Sequence, residues 1–202
     1  MKVKILTSYP KQTLEVDEVF FSSDFHLGHQ AVINFGRKFD SLAHMDDHII
    51  TEVNRLVRKN DLLVLNGDTM MGEKNYAQFL DSLVCENVIM LYGNHCSLSK
   101  MLSINSTKLK YQGYYLELNI DKQIVCCGHH PQFNWNLQDD SSFYLHGHLH
   151  ADESEVVKEI HKYKVMDVGI DNYYKIFGEY SLFKFNQIQK ILKDKLIVGR
   201  HE

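Results

Sequence analysis

The stretch FYLHGHLHAD, residues 143–152, places His146, His148 and His150 at two-residue spacing. Three imidazolium charges side by side would repel, and three neutral rings in a core would each need a polar partner. A bound cation removes both difficulties, because neutral imidazole nitrogens are metal donors. Other short segments carry similar donors. SDFHLGH contains Asp24 and His26, LNGD contains Asp68, YGNH contains Asn94 and His95, and CGHHP contains His129. The inventory is carboxylate, amide and imidazole, with no thiolate required. Mixed N/O sets of this kind suit Mn2+, Fe, Ni2+ or Zn2+ rather than a soft-metal cluster. The set is too large for one ordinary site. Two cations about 4 Å apart, sharing a bridging carboxylate, would use all of it and could activate a bridging water and clamp a phosphoryl oxygen.

Such distant residues can meet only if the elements beneath them converge. EVFFSSD (18–24), DLLVLNGD (61–68) and NVIMLYGN (87–94) read as buried apolar strands that end in polar residues. Between them, residues 43–60 put Met45, Ile49, Val53, Leu56 and Val57 on one helical face. Residues 73–85 do the same with Tyr76, Phe79, Leu80, Leu83 and Val84. The alternation predicts β-α-β units with parallel strands, and the crevice beyond the carboxyl ends of such strands is the usual ligand site. After residue 110 the segments YYLELNI, QIVCCG, FYLHGH, KVMDVGI and YSLFKF read as short strands, and NQIQKILKDK as a closing helix with Asn186 as its N-cap. By themselves these patterns suggest a plain parallel sheet.

The 202 residues contain only Pro10 and Pro131 and no linker or repeat, so one domain over 1–202 is expected. The net charge of −4 argues against a broad nucleic-acid surface, which needs a basic stripe. Cys85, Cys96, Cys126 and Cys127 form no C-x-x-C pair. Neither a zinc ribbon nor a disulfide framework is expected, and reduced thiols suit a cytoplasmic protein. MKVKILTSYP lacks the apolar region of a signal peptide, and no apolar run reaches membrane-spanning length.

The ordered set Asp24-Phe25-His26, Gly67-Asp68, Gly93-Asn94-His95, His129 and Gly147-His148-Leu149-His150 resembles the calcineurin-like metallophosphoesterase superfamily. SSDFHLGH, VINFGRKF and LHGHLH look like its compact branch found in bacteria and phages. The resemblance implies a four-layer α-β-β-α sandwich and two divalent cations, Mn2+ first, with Fe, Zn2+ or Ni2+ as alternatives. By position, Asp24, His26 and His150 would hold one cation, Asn94, His129 and His148 the other, and Asp68 would bridge them. It also implies hydrolysis of a phosphoric ester by a hydroxide held between the cations, with His95 as the catalytic histidine. A small phosphodiester or nucleotide is the expected substrate. A DNA or RNA nuclease is the alternative within the same chemistry, and a catalytically silent binding scaffold the alternative outside it. Cys96 stands where the family often has an acidic residue, and Asp167 where Asn is expected. Thr69-Met70-Met71-Gly72 after Asp68 departs from the Ser/Thr phosphatase pattern.

Several residues have plainer readings. His146 is expected to be a buried neighbour of the ligands, and His130, if its strand continues, to alternate to the opposite side, towards the surface or into contact with substrate. His44 and His48, at i, i+4 spacing, read as solvated helix side chains, while His161 and His201 carry no signal. His29 supports a ligand, touches substrate or packs its loop. Trp135 reads as core or as a stacking wall. Arg37 is a phosphate donor or a surface ion pair. YQGYYLEL and DNYYKIFGEY read as aromatic strand packing.

Overall fold

The computed structural model describes residues 1–71, 75–152 and 154–199. In chain order the strands are β1 (Lys2–Ile5), β2 (Gln12–Glu15), β3 (Val19–Ser22), β4 (Leu62–Leu65), β5 (Asn87–Leu91) and β6 (Leu109–Gly113). They continue with β7 (Tyr115–Ile120), β8 (Gln123–Gly128), β9 (Phe143–His146), β10 (Val165–Asp167) and β11 (Phe183–Lys184). The helices are α1 (Gln30–Asn34), α2 (Leu42–Leu56), α3 (Tyr76–Ser82), α4 (Leu98–Leu102), α5 (Glu155–Ile160), α6 (Ile170–Phe177) and α7 (Phe185–Leu192). The strands form two sheets, β11-β3-β4-β5-β6 and β10-β9-β8-β7-β1-β2.

The architecture is therefore a sandwich and not the plain parallel sheet that periodicity suggests. Val19 and Phe21 on β3 face the second sheet, together with Val64 and Ile89, and meet Leu116, Leu118, Val125 and Leu145 there. Phe20, Leu63, Leu65, Val88 and Met90 point the other way, onto Met45, Ile49 and Val53 of α2 and Phe79 and Leu80 of α3. Strands buried on both faces read as continuous apolar runs, which is why their sequence does not alternate. Ile160 of α5 and Trp135 cover Cys126, Tyr144 and Val165 on the outer face of the second sheet. The four layers follow from these three cores.

Some boundaries differ from the sequence pattern. Helix α2 stops at Leu56 because Val57 turns extended, and the Asp61 carboxylate accepts from the backbone N–H of Arg58 (2.7 Å) and Glu18 (3.0 Å) in the next loop. Helix α3 ends at Ser82, so Val84 is 51% exposed instead of facing inward. The first residues of the helix expected over 73–85, like His201, lie outside the described residues. Asn186 is not an N-cap. It sits inside α7, which Lys184 caps with its backbone N–H on Gln187 Oε1 at 2.8 Å. Most of DNYYKIFGEY (171–180), read as strand packing, lies instead in α6, bounded by Gly169 and Gly178. No helix among the described residues is long and apolar enough to cross a membrane.

The topology brings the strand ends together. β3, β4 and β5 are mutually parallel, and so are β8, β9 and β10. Their carboxyl ends meet where Ser23 bridges Gly169 and where Asn66 Nδ2 donates across the sandwich to the Leu145 carbonyl at 2.9 Å.

Candidate metal centre

Every residue in the expected ligand set lies just beyond one of these ends. Asp24 and His26 follow β3, Asp68 follows β4, Asn94 follows β5, His129 follows β8, and His148 and His150 follow β9. Asp24, His26, Asp68, His148 and His150 have φ between 46° and 72°, the left-handed region. A non-glycine residue there costs about 1–2 kcal/mol, a strain that clusters at functional sites. Two glycines give the carboxylates room. A Cβ on Gly93 would overlap Asp68 Oδ1, and one on Gly147 would overlap Asp24 Oδ2 and Ser23 Oγ.

Donor atoms of Asp24, His26 and His150 lie within 4.8 Å of one another, as do those of Asp24, Asp68 and His129. His26 Nε2 is 3.9 Å from both Asp24 Oδ1 and Asp68 Oδ2, and His150 Nε2 is 3.9 Å from Asp24 Oδ1. These gaps are too long for hydrogen bonds. They are the spacing of donors arranged around a cation at about 2.0–2.2 Å from each. Asp24 Oδ1 and His26 Nε2 are buried and have no hydrogen-bond partner. Two orphaned atoms in one buried spot are costly unless a cation joins them. Asn94 Oδ1 lies 2.9 Å from both His129 Nε2 and His148 Nδ1, and His129 Nε2 is 3.2 Å from Asp68 Oδ2.

The imidazoles are oriented from behind. His129 Nδ1 pairs with the Asn66 carbonyl at 2.9 Å, His150 Nδ1 with Asp171 Oδ2 at 2.7 Å, and His26 Nδ1 with His29 Nδ1 at 3.1 Å. In all three, Nε2 is left for the centre, the arrangement by which outer partners set ligand orientation. Arg37 extends one of these supports. It donates to Asp171 through Nε and Nη2 at 2.9 and 2.8 Å, and to the carbonyls of Phe25 and Asp24 at 2.8 and 2.5 Å. Arg37 is 7% exposed, so it is neither a surface ion pair nor a free phosphate donor.

The electrostatics favour added positive charge. Burial raises the Asp24 carboxyl to about 6, against the pull of His129 and His150, and burial likewise raises Asp167 to about 6. Burial also acts on Asp68, but the hydrogen bond and charge of His129 and the His95 N–H outweigh it and hold Asp68 at about 2. Burial, with the charges of Arg37 and His150, lowers His26 to about 3, so its ring is neutral and able to donate. For Asp171, burial is outweighed by His150 and Arg37, which bring it to about 2.

His95 is exposed and anchored by its backbone, whose N–H donates to Asp68 Oδ1 at 2.9 Å. Its ring centroid lies 5.4 Å from His26 and 5.7 Å from His29. Cys96, in the place of the expected acid, accepts from the Gly93 N–H at 3.2 Å. His130 is exposed, as expected, but it stands on the side of the ligands. Strand β8 ends at Gly128, so alternation does not carry on, and the His130 ring packs 4.4 Å from that of His148. His129, His130 and His148 form a third donor group. His146 is buried, with Nε2 2.9 Å from His161 Nε2. His44 meets Asp40 at 3.3 Å and His48 the Tyr180 carbonyl at 3.2 Å, while Trp135 donates to Ser142 Oγ at 2.9 Å. All four cysteines are free.

Sequence reasoning missed Asp171 and the true role of Arg37. The only local signal was an Asp following Val-Gly-Ile; its partner lies 134 positions away.

Over residues 18–202 the chain matches the calcineurin-like phosphoesterases, and it belongs to that family of dimetal-dependent phosphoric ester hydrolases. It is 24% identical over 162 residues to the uncharacterized protein MJ1445 of Methanocaldococcus jannaschii, covering 78% of this chain and 84% of that protein. Its fold is similar to the crystal structure of AQ665, a protein of unknown function from Aquifex aeolicus. The TM-score is 0.66 at 15% identity, over 86% of this chain and 98% of that one.

Proposed function

We propose that the protein hydrolyses a nucleotide or other small phosphodiester at a pair of divalent cations, Mn2+ foremost. Asp24, His26 and His150 hold one cation, Asn94, His129 and His148 the other, and Asp68 is shared. One observation carries this reading: Asp68 Oδ2 stands 3.9 Å from His26 Nε2 in one group and 3.2 Å from His129 Nε2 in the other. Bound cations supply Lewis acidity, which acidifies water and neutralises phosphoryl oxygens. The chain's own residues do the rest. The supported imidazoles would fix where the cations sit. His95, exposed beside those imidazoles, donates a proton to the departing ester oxygen as the water oxygen joins phosphorus and the P–O ester bond breaks; the water's own proton passes to solvent, from which His95 is reprotonated. The net charge of −4 favours small substrates over long nucleic acid.

Turnover of bis-p-nitrophenyl phosphate with Mn2+, Zn2+, Ni2+ or Fe, and its loss with chelator, is the direct test. Absence of turnover with all four metals would falsify the hydrolase reading, and failure to take up any of them would favour a scaffold. His95→Ala should slow turnover by about 100-fold or more, the usual contribution of a positioned acid, with metal content retained. Loss of both metals in that variant would contradict the role given to His95.

A further inference from the structure

A cleft of about 550 Å3 adjoins the candidate metal centre, lined by His26, His95 and His150 and also by Phe35, Tyr174 and Tyr180. Whatever fills it has its phosphate end within reach of the histidines, so the other walls describe the rest of the substrate. That volume falls in the small-molecule range of about 300–1,000 Å3. It fits one nucleoside and not a duplex.

The walls are aromatic but not continuously apolar. Tyr174 and Tyr180 stack with centroids 4.3 Å apart at 20°, and the Tyr180 hydroxyl accepts from the Lys38 N–H at 3.1 Å. Phe35 is 87% exposed. Exposure alone distinguishes nothing, since Tyr9 and Phe133 are also exposed. Phe35 differs because it lines the cleft that the histidines line, and because the turn carrying it is fastened. Its N–H donates to the Ala31 carbonyl at 3.0 Å, and that of Gly36 to the Ile33 carbonyl at 3.1 Å. Gly36 has φ +120°, with nothing within 4 Å of a Cβ built there, so glycine serves the backbone and not the space. The next residue, Arg37, is bolted to Asp171 and to the Phe25 carbonyl. A large ring is thus displayed at the substrate cleft by a turn that cannot easily fold it away.

We propose that this cleft binds the nucleoside portion of a nucleotide phosphodiester, with the base stacked on Phe35 against the Tyr174–Tyr180 wall. The proposal rests on the hydrolase reading above and narrows its substrate class. A flat ring presented singly suits a base, since every base has a π-face to stack. An alkyl or lipid alcohol would need a continuous apolar wall, and this one is interrupted by His29, Arg37, Asp171 and Lys175.

The test is calorimetric titration of the Mn2+-loaded protein with AMP and with ribose 5-phosphate, which share the phosphate and differ in the base. Stacking of one base is worth about 5- to 150-fold in affinity, so AMP should bind at least about fivefold more tightly. Phe35→Ala should close most of that gap, and Phe35→Trp should keep it; both are surface changes, checked by an unaltered melting temperature. Equal binding of the two ligands, or a gap indifferent to Phe35→Ala, overturns the proposal. Steeply salt-dependent binding of a single-stranded oligonucleotide far tighter than AMP also overturns it, in favour of a polymer. Bis-p-nitrophenyl phosphate hydrolysis by the unmodified protein is measured in parallel. Turnover without a base preference sinks only this proposal, whereas no turnover with any metal sinks the hydrolase reading and the substrate class with it.

Discussion

The two halves of the candidate centre are built to different standards. Asp24 and His26 are at most 1% exposed, and His150, though exposed, is braced by Asp171, which Arg37 grips with two hydrogen bonds. On the other side Asn94 is exposed, His148 is half-buried and His130 is exposed, and only His129 is both buried and backed by a carbonyl. Two buried donors and a third braced from behind should make the first half bind its cation tightly. The open half should exchange its cation more readily and admit substrate. The difference teaches that a shared carboxylate does not make two sites equal; the partners behind the ligands do that.

The comparison collapses if Asp68 is removed, because both halves lose a donor. Asp68→Ala should lower affinity for both cations and turnover by more than about 100-fold, beyond the range of a supporting partner. Retention of both metals in that variant, measured by elemental analysis, would show that the halves are independent. Asp171→Asn tests the braced half. It keeps the shape, weakens the support of His150 and the hold of Arg37, and should cost about 10- to 100-fold in affinity for the tighter cation only. Equal weakening of both cations in a titration would mean that Asp171 supports the fold and not one site. His130→Ala tests the open half. Its ring sits among those of His129 and His148, so its loss should weaken the looser cation by about tenfold, within the range for a partner of the ligands. No change in either binding constant would leave His130 with a surface role alone.

The smallest expected effect is in pH dependence. Burial holds the Asp24 carboxyl at about 6, against about 3.9 in an unfolded chain. The folded, cation-free protein therefore keeps a proton that the unfolded chain has released. A penalty on the order of 2–3 kcal/mol develops as pH rises from about 4 to about 6 and is complete above that. A cation at Asp24 removes the penalty. The gain in melting temperature on adding Mn2+ should be larger at pH 7 than at pH 5, by a few degrees. A gain that is the same at both would mean that Asp24 is already ionised without metal.

Much of this was legible in advance for a local reason. A buried strand declares itself by an apolar run, and a polar residue directly after it must sit at the sheet's end. That placed Asp24, Asp68 and Asn94 without any knowledge of their partners. Aromatic residues were less legible. Tyr173, Tyr174 and Phe177 favour strands by propensity, yet Gly169 and Gly178 bound a helix there, whose Tyr173 and Ile170 are buried in two different cores. Tertiary packing outweighed propensity. The first two strands, β1 and β2, went unread because KVKI and QTLE are too short and too polar to stand out.

The amino-acid order alone determined the donor inventory, its succession along the chain and its position after apolar strands, because these depend on residue type and on neighbours a few positions apart. Only the tertiary structure decided that two sheets face each other, that Arg37 turns inward to Asp171, and that His130 joins His148. Those contacts join residues up to 134 positions apart, and no local periodicity encodes which distant polar group will complete a buried hydrogen bond.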